Sequence, residues 1–174
     1  RIVDPSGKIL PRDGESIGEI IVKSEANMLG YWRQPELTAE TIKNGWMWTG
    51  DLAVWDEEGY IYIVDRAKDM IISGGENIYS VQVEAAIHQH PAVLESAVIG
   101  IPSEKWGESV HAVVVLKPQA SASSDEIIEV AKQNLASYQK PQSVEFVESL
   151  PKAPTGKILK RELRDPYWNG RDDP

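Results

Sequence analysis

Cysteine is absent from the 174 residues, which excludes disulfides, thiolate metal sites and a cysteine nucleophile. Long apolar runs are absent too: none approaches the length of a membrane span. Arg1-Ile2-Val3-Asp4-Pro5 lacks the apolar segment of a signal peptide, so a cytoplasmic location is the expectation. Positive charge is in deficit, with 18 Lys and Arg against 27 Asp and Glu and a formal net charge of -9. An acidic surface repels phosphate backbones, so nucleic acid is not an expected partner. No repeat and no low-complexity tract occurs, and there is no initiator Met. The chain therefore reads as a piece of a longer protein.

Metal-binding patterns are also missing. His88 and His90 are two positions apart, and on a helix they would point to different sides. No Asp or Cys cluster supports them, and His111 is isolated, so no metal site is expected. No Ser/His/Asp spacing suggests a hydrolytic triad. What the chain does have is an apolar fraction of 41% and a charged fraction of 26%, enough for a packed core and unlike a disordered chain. Lys152, Lys157, Lys160, Arg161 and Arg164 make a local basic stretch, which suits a small anionic ligand better than a polymer.

Residues 1–65 read as strands and turns. Pro5-Ser6-Gly7 and Pro11-Arg12-Asp13-Gly14 mark turns. Residues 17–23 read as a strand, and residues 35–44 as a short helix with Pro at its start and Gly45 past its end. Residues 52–55 and 60–64 form a hairpin around the turn at 56–59. Such a block buries little surface and would be marginal alone. From residue 66 the pattern changes. Helices are expected at 80–90, with Val83, Ala86 and Ile87 inward, and at 123–137, opened by the capping box Ser123 and Glu126. The second helix would turn Ile127, Val130, Ala131 and Leu135 inward. Strands are expected at 95–101, 112–116 and 144–147, and a last short helix at 159–164. This order implies an α+β domain, a small three-stranded sheet flanked by helices. Asp65-Arg66-Ala67-Lys68 is the candidate boundary between the blocks. The tail after Asp165 reads as loosely held.

Three short motifs could carry chemistry. In Pro154-Thr155-Gly156-Lys157 a glycine precedes a lysine, yet the phosphate-loop spacing fails. Pro151 stands where the first glycine belongs, and Ile158 where Ser or Thr belongs. What remains is a lysine on a tight loop before a helix, which taken alone is a solvated surface lysine. Trp48-Thr49-Gly50-Asp51 lies between two strand patterns; its Asp could cap a turn or accept both hydroxyls of a ribose. Ser73-Gly74-Gly75-Glu76-Asn77 is either a hairpin turn or a place where another molecule approaches the backbone closely.

Taken in order, these pieces resemble the motifs of the acyl-adenylate-forming superfamily, which includes acyl-CoA synthetases, peptide-synthetase adenylation domains and firefly luciferase. The resembling stretches are Gly30-Tyr31-Trp32, Trp48-Thr49-Gly50-Asp51-Leu52, Asp65-Arg66-Ala67-Lys68-Asp69, Ser73-Gly74-Gly75-Glu76-Asn77-Ile78 and Pro154-Thr155-Gly156-Lys157-Ile158. They cover nearly the whole chain. Each is weak alone; five in the family's order and spacing are specific. Asp165-Pro166-Tyr167-Trp168 also resembles the tails of bacterial fatty-acyl-CoA synthetases.

The resemblance implies that residues 1–65 are the β-rich end of a large amino-terminal adenylation domain. Residues 66–174 would be the small carboxy-terminal AMP-binding domain, with a hinge at 65–68. It implies Lys157 as the adenylation lysine, Asp51 on the ATP ribose, Arg66 near ribose and phosphates, and Lys68 as the hinge. It implies CoA contacts at Gly74, Gly75, Trp106, Tyr138 and Lys140. The implied reaction activates a carboxylic acid, favoured as a fatty acid, with ATP to acyl-AMP and passes it to CoA. Magnesium would be held by the amino-terminal part, whose nucleotide motifs and acyl pocket are not in this chain, so the chain alone should not catalyse. A carrier-protein-loading adenylation domain and a non-catalytic stand-alone binding domain are the alternatives.

Overall fold

The computed structural model describes residues 1–169, which divide between Lys68 and Asp69 into two compact units. The first unit contains β1 (Ile2–Val3), β2 (Gly18–Val22), α1 (Pro35–Thr41), β3 (Ile42–Lys43), β4 (Trp46–Trp55) and β5 (Ile61–Arg66). Its strands form one antiparallel sheet in which β4 carries β2 on one edge and β3 and β5 on the other. The β4–β5 turn closes on Asp56, whose carbonyl accepts from the Gly59 N–H at 3.0 Å and whose Oδ1 accepts from the Tyr60 N–H at 2.9 Å. The buried apolar set is small: Ile2, Val3, Ile21, Leu52 and Ala53.

β4 is longer than expected, and the Trp48–Asp51 motif lies inside it instead of in a loop. Glu19 pairs with Leu52 and Ile21 with Trp48, so Thr49, Gly50 and Asp51 together face the single residue Ile20. This bulge is pinned by side chains. Thr49 Oγ1 donates to the Ile20 carbonyl at 2.8 Å and accepts from the Asp51 N–H at 3.1 Å, while Glu19 Oε1 accepts from the Gly50 N–H at 2.8 Å. Gly50 has φ +73°, which a residue with a Cβ adopts only at a cost. A pattern of alternating residues cannot reveal a strand that is interrupted in this way.

A 3₁₀ turn at Ala67–Asp69 leads on to the second unit. This unit contains β6 (Ile71–Ser73), β7 (Glu76–Ile78), α2 (Ser80–Ile87), β8 (Val93–Ser103), β9 (Gly107–Leu116), α3 (Ser124–Asn134), β10 (Ser143–Phe146) and α4 (Lys160–Trp168). The sheet has five strands, not three. β9 is central, with β8 antiparallel on one edge and β6 antiparallel and β10 parallel on the other. The two strands that sequence reasoning missed are three residues each, too short to show a period. The hairpin reading of the double glycine is realised: Gly74 and Gly75 join β6 to β7 with φ +61° and +86°.

β9 is buried on both faces, which explains its unbroken apolar run. Ala112 and Val114 face α2 and α3 in a cluster with Val83, Ala86, Ile87, Ile127 and Ala131. Val113 and Val115 face the other way, towards Ala97, Leu150, Ile158 and Leu163 of α4. The result is a helix–sheet–helix sandwich. α3 opens with the expected capping box: Ser123 Oγ accepts from the Glu126 N–H, and Glu126 accepts from the Ser123 N–H at 2.8 Å.

The end of the chain differs from expectation. α4 runs on to Trp168 through Pro166, instead of stopping at Arg164 with a loose tail. Tertiary contacts override the proline. Trp168 Nε1 donates to the Gly100 carbonyl at 3.1 Å, and the Tyr167 hydroxyl donates to Glu145 Oε2 at 2.9 Å and meets His111 Nε2 at 3.2 Å. His111 is thus not isolated: its Nδ1 also meets Ser143 Oγ at 2.7 Å, and it is only 5% exposed. Burial pushes its pKa below the ordinary histidine value, against the opposing pull of Glu145. Residues 170–174 of the tail lie outside the described residues. Among the described residues no helix is long and apolar enough to cross a membrane.

Candidate functional site

Each unit carries its own part of the predicted site. In the first, Asp51 and Arg66 are cross-strand partners on β4 and β5, and Arg66 Nε lies 2.7 Å from Asp51 Oδ1. Their side chains are 28% and 39% exposed, so the pair faces solvent without being lost in it. A carboxylate accepts through two oxygens, and Arg66 engages only one of them here. The pair therefore offers an acceptor beside a fixed positive charge, the combination that holds a sugar hydroxyl next to a phosphate.

In the second unit, Gly74, Trp106 and Tyr138 line one open cavity of about 420 Å³. The Gly74 N–H donates to the Trp106 carbonyl at 2.8 Å, which ties the β6–β7 turn to the start of β9. A Cβ on Gly74 would lie 2.9 Å from Trp106 Cε3, whereas one on Gly75 would meet nothing within 4 Å. The two glycines are thus not equivalent. Gly75 supplies only a backbone conformation, while Gly74 also leaves room for the indole. Gly75 and Lys140 are not among the residues lining the cavity.

Ser73 and Glu76 of the double-glycine motif also line the cavity, and sequence reasoning missed Lys105, Val110, Ser137 and Gln142, which complete the lining. Lys105 had a visible signal, since it precedes Trp106; its Nζ sits 4.4 Å from that ring's centroid. Trp106 and Tyr138 are each about half exposed, at 48% and 46%. Aromatic faces kept half open in one cavity can take a planar ring by stacking, and the neighbouring ammonium can take an anion.

Lys157 stands apart, on the loop between β10 and α4. The loop is a tight turn: the Gly156 N–H donates to the Ala153 carbonyl and the Ala153 N–H to the Lys157 carbonyl, both at 2.8 Å. Pro154 sits second in the turn and Gly156 takes φ +84°. Below it, Lys152 and Ile158 form an antiparallel bridge. Lys157 itself is exposed and forms no salt bridge among the described residues. The basic stretch around it is not one patch. Lys152 pairs with Glu95, Lys160 pairs with Glu84, and Arg161 lies 3.9 Å from Asp165.

Comparison with known proteins identifies the family. Residues 82–157 match the family described as the AMP-binding enzyme C-terminal domain. Over 97% of its length the chain is 43% identical to the fatty acid–[acyl-carrier-protein] ligase ScoC of Streptomyces coeruleorubidus, covering 32% of that protein. The chain belongs to the acyl-adenylate-forming superfamily. A second relative, the long-chain-fatty-acid–CoA ligase FadD13 of Mycobacterium tuberculosis, is 49% identical over 86% of this chain and 30% of its own. Among solved structures, ATP-bound MatB of Rhodopseudomonas palustris superposes with a TM-score of 0.90 at 41% identity, over 96% of this chain and 33% of MatB. The chain spans about a third of the length of the relatives it matches. The α+β unit with its crossing sheet is the C-terminal domain of this adenylate-forming fold.

Proposed function

We propose that this chain is the carboxy-terminal third of an acid–CoA ligase, with a fatty acid as the favoured substrate, and that it is inactive without the amino-terminal part. The observation that carries the reading is Lys157: an exposed ammonium, outside any salt bridge among the described residues, on a turn in the same chain as the Asp51–Arg66 pair.

The chemistry calls for such a group. A carboxylate oxygen attacks the α-phosphorus of ATP, and the bond to pyrophosphate breaks. Two anions must meet. At about 4 Å and an effective dielectric of about 20, one ammonium between them is worth about 4 kcal/mol. Asp51 receives the ribose hydroxyls while Arg66 keeps its carboxylate oriented. The thiol of CoA then attacks the acyl carbon, the C–O bond to AMP breaks, and the thiol proton passes to solvent. This step needs Lys157 withdrawn and the Gly74–Gly75 turn in its place. Rotation about Lys68 supplies both states, and the division of the chain next to Lys68 supports that hinge. The Trp106–Tyr138 cavity receives the CoA nucleotide, with Lys105 on a phosphate. Magnesium, the counter-ion of ATP, is assigned to the amino-terminal part; among the described residues no group of three or more His, Asp or Glu side chains converges to hold a metal.

A carrier-protein-loading enzyme is the second reading, favoured by the likeness to ScoC. The aromatic-lined cavity supports CoA instead, because a carrier's phosphopantetheine arm has no base to stack there. A stand-alone binding domain would have no use for Lys157, Asp51 and Arg66 together.

The full-length enzyme, given ATP, a panel of carboxylic acids and either CoA or a loaded carrier, decides between them. In it, Lys157→Ala lowers acyl-AMP formation roughly 10²- to 10³-fold. Transfer to CoA from supplied acyl-AMP stays intact. Equal losses in both half-reactions would sink the two-state role of Lys157.

A further inference from the structure

Lys160 lies three residues beyond Lys157 and, in the sequence, belongs to the same basic stretch. Its surroundings differ entirely. Lys160 is 13% exposed and is the first residue of α4. Its Nζ lies 2.7 Å from Glu84 Oε1 and donates to Ser80 Oγ at 2.6 Å, both on α2. Glu84, itself 18% exposed, also accepts from the Val98 N–H of β8 at 2.8 Å. One carboxylate thus joins α2, β8 and the first residue of α4.

The brace is connected to Lys157 through backbone. The Leu159 N–H donates to the Pro151 carbonyl at 2.9 Å, Lys152 bridges Ile158, and the Ala153 N–H donates to the Lys157 carbonyl at 2.8 Å. Each residue from Lys157 to Lys160 is thus tied by a backbone or side-chain contact. The far end of α4 is tied separately, by Trp168 to Gly100 and by Tyr167 to Glu145. A catalytic ammonium at the end of a long side chain reaches its target only if the backbone beneath it is held, and an error of about 1 Å can cost on the order of 10²-fold in rate.

We propose that the Lys160–Glu84 pair is a positioning device for Lys157, and that Lys160 is not a ligand of ATP or pyrophosphate. The inference rests on the adenylation role of Lys157 given above. A buried pair of this kind adds little stability compared with apolar residues of similar size, so its value lies in fixing a register.

The test uses the full-length enzyme and measures both half-reactions. Lys160→Met and Glu84→Gln each lower kcat for acyl-AMP formation on the order of tenfold to a hundredfold, with KM for ATP unchanged. Transfer of supplied acyl-AMP to CoA persists. The double variant, which strands no charge, loses no more than either single one, and Lys160→Arg recovers much of the rate. Full adenylation by the double variant would overturn the proposal, because the single losses would then come from a stranded charge. A raised KM for ATP in Lys160→Met but not in Glu84→Gln would make Lys160 a nucleotide ligand. Equal loss of both half-reactions would reduce the pair to general support of the fold, and Lys160→Arg no faster than Lys160→Met would also count against it. Failure of the underlying reading is separately visible, as undiminished adenylation by Lys157→Ala.

Discussion

Asp51 and Lys157 are held in opposite ways. Asp51 stands within β4, at a bulge closed by Thr49 and Glu19, and its carboxylate is already engaged by Arg66. Lys157 stands on a turn whose backbone is pinned, while its ammonium projects to solvent outside any salt bridge among the described residues. Under the proposed function, the contrast matches what each group would be asked to do. A group that receives the ribose through a whole cycle gains from being fixed in advance, since no reorganisation is then needed on binding. A charge that must arrive for one step and leave for the next is better without a resident partner, since breaking a pair would add to the barrier.

The sharpest way to break the comparison is to remove the fixed group. Asp51→Ala should weaken ATP binding by about 1.5–3 kcal/mol, roughly ten- to a hundredfold in KM. Its stability should change by less than about 1 kcal/mol, because a solvent-facing ion pair contributes little. A large stability loss with unchanged KM for ATP would make the pair structural.

The second way compares two turns instead of two side chains. Ala at Gly74 or at Gly75 pays about 1–2 kcal/mol for a left-handed backbone. Only Gly74→Ala also drives a Cβ against Trp106, so it alone should raise KM for CoA. Thermal melting and CoA titration of the pair check this; equal KM values would place CoA elsewhere.

A smaller effect concerns the anchor of α4. Burial lowers the pKa of His111 in the folded chain, so the unfolded chain binds the proton more readily. The neutral ring's contribution is complete above the unfolded value of about 6.5 and is lost as pH falls from there towards the folded value. Denaturant unfolding at a series of pH values should show this loss in the wild type and a flatter profile in His111→Gln. The smallest effect is expected at Ser96, a buried hydroxyl with no hydrogen-bond partner among the described residues. Ser96→Ala should stabilise the chain by about 1 kcal/mol, read as a shift in the denaturation midpoint, and should leave both half-reactions alone.

Much of this was legible in the residues. The capping box at Ser123, the inward face of α2 and the apolar runs of β8 and β9 are local or periodic signals, and they mark elements without help from the rest of the chain. The motif residues Asp51, Arg66, Gly74, Trp106 and Lys157 were singled out through family likeness, not through their own chemistry, since a lone Gly-Lys or Gly-Gly reads as an ordinary turn. The missed features share one property. The hairpin strands β6 and β7 are too short for a period, the extension of α4 past Pro166 depends on Gly100 and Glu145, and the polar cluster of His111 draws partners from residues 143, 145 and 167.

By itself, then, the order of residues determined where helices and strands could form, which glycines had to turn, and which family the chain joins, because these depend on neighbours a few positions apart. Tertiary structure alone decided which charges are paired. Lys152, Lys157 and Lys160 look alike in sequence, but Glu95 and Glu84 lie 57 and 76 residues away from the lysines they engage, and only folding brings them close enough to quench two charges and leave the third exposed.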